Sequence, residues 1–255
     1  MNKPIKPRPC KILLALVSVA CAAPILMTSE PAHAVDKIYS PQIVQGEWEL
    51  EYFGTNTFDH QHDKNNLQEH EISVGYGVTD WWAPEFYGVF EKQAGESIRL
   101  SGFEFENHFQ FTEPGEYWLD SGLLLAYIHT THRDDPDGLE VKLLLEKQTG
   151  RFLHRANIGF EQEVGSHAQG GPDRVILWST RYLYDPHFAP GFEIQSNFGK
   201  PGEVHGFNRQ EHYIGPSAYG QIVPNLKYEA AYLFGVSNAA SKGAVRFLLE
   251  YEVFF

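Results

Sequence analysis

The sequence predicts an all-β protein, a transmembrane antiparallel β-barrel of about 12 strands. Three observations indicate this fold class. Apolar and polar residues alternate with a period of two along about a dozen segments, which is the pattern of strands whose two faces meet different surroundings. The connections between these segments alternate between long and short. The last segment, residues 244–255, ends on an aromatic residue and has an apolar side chain at every second position.

Residues 1–34 have the features of a secretory signal peptide. Four basic residues lie within the first eleven positions, an apolar run covers residues 12–27, and Ala32-His33-Ala34 has the small-x-small form of a cleavage site. We therefore expect cleavage after Ala34. Residues 35–45 would then form a periplasmic N-terminal segment, and residues 46–255 the outer-membrane barrel. Both cysteines lie in the leader, so no disulfide is expected in the rest of the chain.

The charge of the chain excludes one class of partner and its hydropathy excludes one class of membrane protein. The leader carries four of the 20 Lys and Arg residues and one of the 33 acidic residues, so the remainder has 16 basic and 32 acidic groups and a net charge of −16. Nucleic acid is not expected as a partner, because phosphate binding needs positive charge. No later apolar run approaches the roughly 20 residues of a membrane helix. A membrane span would then require a closed barrel, because lipid cannot satisfy free backbone groups.

Each predicted strand is bounded by turn-forming residues. The twelve segments begin near Gly46, Glu69, Trp81, Ser97, Tyr117, Leu139, Phe152, Arg174, Phe188, His212, Leu226 and Ala244. The connections after odd-numbered segments are mostly long and polar: residues 55–67, 93–96, 132–138, 166–173, 200–211 and 237–243. Those after even-numbered segments are short: residues 79–80, 112–116, 147–151, 185–187 and 224–225. This asymmetry predicts long loops outside the cell and both termini in the periplasm of a Gram-negative bacterium.

Alternation within the strands predicts which side chains face the lumen. Glu49 lies between Trp48 and Leu50, and Glu104 lies between Phe103 and Phe105. The candidate pore-lining residues near the middle of the strands are Glu49, Glu104, Glu106, Arg155, Glu161, Glu229, Arg246 and Glu250. Their assignment depends on register, since a slip of one residue reverses every face. Glutamates outnumber basic residues in this set, so an open lumen would favour cations.

A closed interior is the alternative to a pore. Small barrels can fill the lumen with paired Glu and Arg side chains, which then stabilise the wall without conducting. The sequence therefore predicts a narrow channel or transporter for small solutes, with a closed structural barrel as the alternative. It does not name the solute.

The third segment departs from clean alternation. Residues 81–87 read Trp-Trp-Ala-Pro-Glu-Phe-Tyr, and Pro84 has no N–H to donate to a ladder. We expect either a β-bulge at this point or a strand that starts after Pro84.

The end of the chain resembles the terminal assembly signal of bacterial outer-membrane barrels. That signal ends in Phe, and here Tyr251, Val253 and Phe255 occupy the apolar face of the last segment. The resemblance implies recognition by the barrel-assembly machinery.

Histidine offers a second hypothesis, metal capture. Eleven of the 12 histidines follow Ala34, and the segment Asp59-His60-Gln61-His62-Asp63 places two imidazoles among carboxylates in a predicted outer loop. His60 and His62 could hold a borderline metal such as zinc or copper. Polar loops also carry such residues for solubility alone, and no further ligand has a defined spacing.

A lipid-modifying enzyme is the remaining alternative. Twelve-stranded outer-membrane phospholipases use a His-x-Ser-Asn-Gly type of motif, and Ser196-Asn197-Phe198-Gly199 is the nearest match. Ile194 stands where that motif has its histidine, so the general base is missing and no catalytic residue is assigned.

Two further segments resemble a family of proteins. Residues 74–82, Val-Gly-Tyr-Gly-Val-Thr-Asp-Trp-Trp, and residues 109–115, Phe-Gln-Phe-Thr-Glu-Pro-Gly, are similar to motifs of small Gram-negative outer-membrane barrels described as transporters, including the group linked to aromatic-compound degradation. The resemblance implies the barrel architecture and no particular substrate. Expected partners are outer-membrane lipid, lipopolysaccharide, the assembly machinery and an unknown small solute, and no cofactor is expected.

Overall fold

Twelve antiparallel strands close into a barrel in the computed structural model, which describes residues 35–200 and 206–254. Each strand pairs with its neighbours in sequence, and the last pairs with the first. The strands are β1 Glu47–Phe58, β2 Gln68–Tyr76, β3 Trp82–Lys92, β4 Arg99–Gln110, β5 Asp120–Thr130, β6 Asp137–Thr149, β7 Phe152–Val164, β8 Asp173–Tyr182, β9 Ala189–Asn197, β10 Glu211–Val223, β11 Leu226–Gly235 and β12 Gly243–Phe254. The predicted fold class is confirmed, and every strand begins within three residues of its predicted start.

The barrel closes through the pairing of β1 with β12. The register runs from Glu47 opposite Phe254 to Phe58 opposite Gly243, so both strands are paired over their whole length. This pairing removes the free edges that an open sheet would expose to lipid. Tyr251 and Val253 of the predicted assembly signal lie on β12, whereas Phe255 and the predicted leader lie outside the described residues.

The two ends of the barrel differ in their connections. The turn end carries residues 77–81, 111–119, 150–151, 183–188 and 224–225, together with the start of β1 and the end of β12. The loop end carries residues 59–67, 93–98, 131–136, 165–172, 198–200, 206–210 and 236–242. The connections of the turn end were predicted to be shorter than those of the loop end. Residues 111–119 of the turn end are an exception, because they form a longer connection than residues 93–98 of the loop end.

Two short 3-10 helices, His62–Lys64 and Phe207–Arg209, lie at the loop end. Within the described residues, no helix has the length and apolar character needed to cross a membrane.

The outer surface of the barrel is apolar along the strands. Twelve apolar side chains at positions that alternation assigns to the lipid face are between 37 and 51% exposed: Trp48, Leu50, Phe103, Phe105, Leu139, Val141, Leu143, Phe152, Ile158, Phe160, Tyr232 and Phe234. Their neighbours in sequence are buried inside, as at Glu51, Glu104, Glu106, Glu140 and Lys142. A water-soluble barrel has a polar exterior and an apolar interior. Here the arrangement is the opposite, as expected for a barrel surrounded by lipid.

The sequence prediction for Pro84 was wrong. β3 begins at Trp82 and runs through Pro84, which lies opposite Asn107 of β4, and the irregularity falls between Val89 and Phe90. The Trp82 carbonyl accepts from Val78 on the β2 side, so alternation places the Pro84 nitrogen on that side as well. The β2 ladder ends at Gly75 opposite Glu85, so the missing N–H of Pro84 falls beyond the last ladder pair.

The segment before β1 lies inside the barrel. Residues 35–45, which were expected in the periplasm, run through the lumen as extended chain. At one end, Val35 packs with Tyr213, Leu233 and Ala244, which belong to the loop end. At the other end, the Gly46 N–H donates to the Gly77 carbonyl at the turn end. The first described residue and the end of β12 therefore lie toward opposite ends of the barrel, whereas both termini were expected on one side.

We expect Gly215→Ala to destabilise the barrel. A Cβ at Gly215 would lie 2.0 Å from the Tyr232 carbonyl oxygen, so the backbones of β10 and β11 would have to separate. The loss should be about 1–3 kcal/mol in the free energy of unfolding, measured by urea titration of the folded, heat-modifiable band in detergent. Gly206→Ala is the control, because a Cβ there meets no atom within 4 Å. Equal stability of both variants would contradict the close approach.

Candidate functional site

The candidate functional site is the lumen, whose wall consists of alternating inward side chains from all 12 strands. The candidate pore-lining residues were predicted from face parity, and the structure places them on the inward face: Glu49, Glu104, Glu106, Arg155, Glu161, Glu229, Arg246 and Glu250. Several of them are in direct contact with a countercharge, which the sequence did not specify. Their role in lining a pore stays a prediction.

A buried arginine cluster joins β7, β8, β9, β11 and β12. Arg246 is 1% exposed, and its guanidinium forms a two-point contact with Glu193 and a 3.0 Å hydrogen bond to Glu229. Arg155 and Arg181 approach the other Glu229 oxygen at 3.6 and 3.8 Å. Because buried charges are stable only when paired, this cluster fixes part of the lumen wall.

An acidic wall faces the lumen from β1 to β4. Glu51, Glu85 and Glu106 are each at least 94% buried. Glu106 accepts hydrogen bonds from the Tyr87 hydroxyl at 2.9 Å and from His108 Nε2 at 2.8 Å. The Ser73 hydroxyl donates to Glu85 at 2.5 Å. These side chains concentrate negative charge in a water-poor space, so they need a cation nearby.

The segment of residues 35–45 supplies that cation. Lys37 Nζ forms an ion pair with Glu51 and lies 3.3 Å from the Tyr87 hydroxyl. Two residues later, the Tyr39 hydroxyl donates to Glu106 at 2.8 Å. The segment is therefore held against the acidic wall through complementary charge.

On another part of the wall, the segment supplies the carboxylate and the wall supplies the lysine. The Asp36 carboxylate lies 2.6 Å from Lys142 Nζ, which is also 2.6 Å from Glu140. Lys142 is 2% exposed, so it is paired in a site that excludes water. Adjacent residues of the segment, Asp36 and Lys37, thus match opposite charges on β6 and β1.

Three wall amides bind the backbone of the segment. Asn157 accepts from the Tyr39 N–H at 2.7 Å and donates to the Tyr39 carbonyl at 3.1 Å. Gln195 makes the same two contacts with Asp36, at 2.8 and 3.1 Å. Gln110 accepts from the Ile43 N–H at 2.7 Å. Buried backbone groups need such partners, and here side chains replace the neighbouring strand that the segment lacks.

Local sequence patterns do not predict this arrangement. Asn157 and Gln195 are neutral amides at inward positions of strands whose other inward side chains include charged residues. This is the one feature of the wall sequence that points to a bound backbone segment. Residues 35–45 have no periodicity that would assign them to the lumen.

A cavity in the lumen lies next to Val35, near the loop end. Its volume is about 330 Å³ including the solvent at its mouth, and Glu161, Gln195 and Tyr213 are among its lining residues. Along the rest of its path, the segment contacts the wall directly through the hydrogen bonds and ion pairs described above.

The structure does not bring the predicted metal ligands into a cluster. His60 and His62 are exposed at the loop end. Within residues 35–200 and 206–254, the groups of side chains close enough to share a metal are Glu85, Glu106 and His108; Asp36, Glu140 and Glu161; and Glu104, Glu106 and Glu140. All three lie in the lumen, and each includes a carboxylate that already contacts a hydrogen-bond donor or a lysine. Neither His60 nor His62 belongs to any of them.

Ser196 does have a histidine partner, which the sequence motif did not reveal. His212 faces it across the β9–β10 pair, with Nδ1 2.9 Å from the Ser196 hydroxyl and Nε2 3.1 Å from Gln210. His70 repeats this pattern on β2, with Nδ1 2.7 Å from the Tyr52 hydroxyl and Nε2 3.2 Å from Gln68.

Both histidines end a Gln-Glu-His sequence at the loop end. The hydroxyl that contacts His70 belongs to a tyrosine, whereas the one that contacts His212 belongs to a serine. Because the same contact forms with either hydroxyl, it is more typical of a histidine hydrogen-bonded at the barrel rim than of a histidine that activates a serine nucleophile.

Comparison with known proteins supports the architecture. No protein-family model matches the chain, and no curated protein matches it. An outer membrane channel from Pseudomonas putida F1 is similar in structure, with a TM-score of 0.64, 12% identity, and coverage of 87% of this chain and all of that one. KdgM porin has a TM-score of 0.55 at 7% identity, and NanC porin 0.53 at 10%, each with coverage of 81% of this chain and 99% of the porin.

Identities this low show the fold alone. The predicted resemblance to barrels linked to aromatic-compound degradation therefore stays a prediction.

We expect Arg246→Met to destabilise the barrel strongly. It would leave Glu193 buried without its cation, and breaking a buried pair from one side costs about 3–5 kcal/mol. Arg99→Met is the control, because Arg99 is nearly half exposed and pairs at 3.5 Å with the exposed Glu96. The measurement is the urea midpoint of the folded band in detergent. Equal midpoints for the two variants would show that the cluster does not hold the wall.

Proposed function

We propose that this protein is a passive channel for small solutes in the outer membrane of a Gram-negative bacterium, with a preference for cations. The loop end faces the outside of the cell, and the start of β1 and the end of β12 lie at the periplasmic side. The acidic wall carries this proposal: Glu49, Glu51, Glu85, Glu104 and Glu106 face the lumen from β1, β3 and β4. A narrow passage lined by carboxylates concentrates cations and repels anions.

The fold of the structural neighbours supports the same class of function. Two of them are porins and one is an outer membrane channel. We extend the function of a channel from these neighbours to this chain. The proposed preference for cations is argued only from the inward side chains of this chain.

The segment of residues 35–45 makes the passage narrow. Solutes larger than an ion could pass only where the segment leaves space or moves away from the wall. Because three amides and two ion pairs hold it, the low-conductance state is the stable one.

Cation preference is expected to depend on the inward glutamates. The variant Glu161→Gln should lower the potassium-to-chloride permeability ratio, because it removes a negative charge from the lumen. The reversal potential across a planar bilayer in a potassium chloride gradient measures this ratio. Glu113→Gln removes the same charge from an exposed position at the turn end and should leave the ratio unchanged. An anion-selective or unselective wild-type channel would contradict the proposal.

Conductance is expected to depend on the amides that hold the segment. The double variant Asn157→Ala, Gln195→Ala removes four hydrogen bonds to the segment backbone, each worth about 0.5–1.5 kcal/mol. Single-channel recordings should show larger or more frequent openings, because the segment leaves the lumen more often. Gln148→Ala removes an exposed amide at the end of β6 and serves as the control. Unchanged conductance in the double variant would mean that the segment does not limit passage.

A further inference from the structure

Lys37 occupies a site on the barrel wall that has the features of a receptor for a primary ammonium group. The wall part of this site consists of Glu51 on β1, Glu85 and Tyr87 on β3, and Glu106 on β4. All four side chains are at least 94% buried. Lys37 itself belongs to the separate segment before β1, and its residue is 8% exposed.

The contacts at this site fit the chemistry of an alkylammonium. Lys37 Nζ is paired with Glu51 and lies 3.3 Å from the Tyr87 hydroxyl. It also lies 4.8 Å from the centre of the Tyr39 ring and 5.7 Å from the centre of the Tyr87 ring. Carboxylates bind the N–H donors, and the aromatic faces attract the cation and exclude water from its alkyl chain.

The wall keeps negative charge that one lysine does not cancel. Glu85 and Glu106 are directly opposite each other on β3 and β4, and His108 lies 2.8 Å from Glu106 and 3.9 Å from Glu85. Without Lys37, three buried carboxylates would face one histidine. Such a site requires a cation, so removal of the lysine leaves a vacancy with a defined charge and shape.

We propose that this is an ammonium-binding site of the lumen, with Lys37 as its resident occupant, and that primary-amine solutes are the class of solute the channel accepts there. The solute class rests on the proposed channel function, whereas the binding site does not. An amine entering the lumen would replace the Lys37 ammonium on Glu51 and Tyr87. That exchange loosens the segment at the point where its positive charge holds it.

Chemical rescue of Lys37→Ala tests the site. This variant lacks the three outer methylenes and the ammonium of the side chain, a volume that n-propylammonium matches. We expect the variant to have a lower thermal midpoint than the wild type and n-propylammonium chloride to restore it. Sodium chloride and tetramethylammonium chloride at equal ionic strength should not, because the first lacks the alkyl chain and the second lacks N–H donors.

Three variants make the rescue specific. Glu51→Gln in the Lys37→Ala background should weaken n-propylammonium binding roughly 10-fold or more, because it removes a charged hydrogen-bond partner. Lys37→Met fills the vacancy with an apolar chain and should not be rescued. Lys227→Ala is the matched control. Lys227 also forms ion pairs with glutamate, in its case Glu250 and Glu252, but its side chain is 39% exposed, so the variant should show no rescue.

Calorimetric titration of the folded barrel with n-propylammonium gives the affinity. If Lys37→Ala folds poorly, its refolding yield becomes the measurement, and n-propylammonium must restore that yield where sodium does not. Equal rescue by tetramethylammonium or sodium would overturn the site, since it would show only charge screening.

These measurements need no current through the barrel. Rescue without any single-channel conductance would therefore refute the channel and leave the site intact. Conductance without rescue would refute the site and leave the channel. For the solute class, the permeability of n-propylammonium relative to sodium should fall in Glu51→Gln. An unchanged ratio would separate the binding site from transport and overturn the claim about the solute.

Discussion

The structure depends on one constraint, that every backbone N–H and C=O of a lipid-exposed sheet must find a partner within the protein. The pairing of β1 with β12 meets this constraint for the whole wall, since it leaves no strand with a free edge. Closure in turn divides the side chains into two sets. One faces lipid and is apolar, whereas the other faces an enclosed lumen and is polar.

Closure also creates the electrostatic problem of the interior. Glutamates on adjacent strands are brought side by side, as at Glu85 and Glu106, in a space with little water. On the β7–β12 side, arginines from neighbouring strands neutralise them. On the β1–β4 side, the ammonium of Lys37 comes from outside the wall. The segment before β1 is therefore part of the charge balance of the barrel as well as an obstacle in its lumen.

The contacts that stabilise the interior would also limit passage through the proposed channel. The segment is an extended chain without a strand partner, and Gln110, Asn157 and Gln195 satisfy its backbone instead. Individual hydrogen bonds of this kind are weak. Together with the ion pairs of Asp36 and Lys37, they hold the segment in the lumen. Because each of these contacts is separate, a substitution can remove one without removing the others.

The sequence by itself determined the fold class, the strands, the direction of each face and the acidic interior. Alternation of the kind seen in residues 103–111 recurs along most of the strands, and local geometry alone converts it into two faces. Pro84 shows the limit of that reasoning, because its place in β3 depended on where the β2 ladder ends. Only the tertiary structure placed Lys37 against Glu51 and His212 beside Ser196. These contacts join residues far apart in the chain, and their geometry follows from closure and register, which no local pattern records.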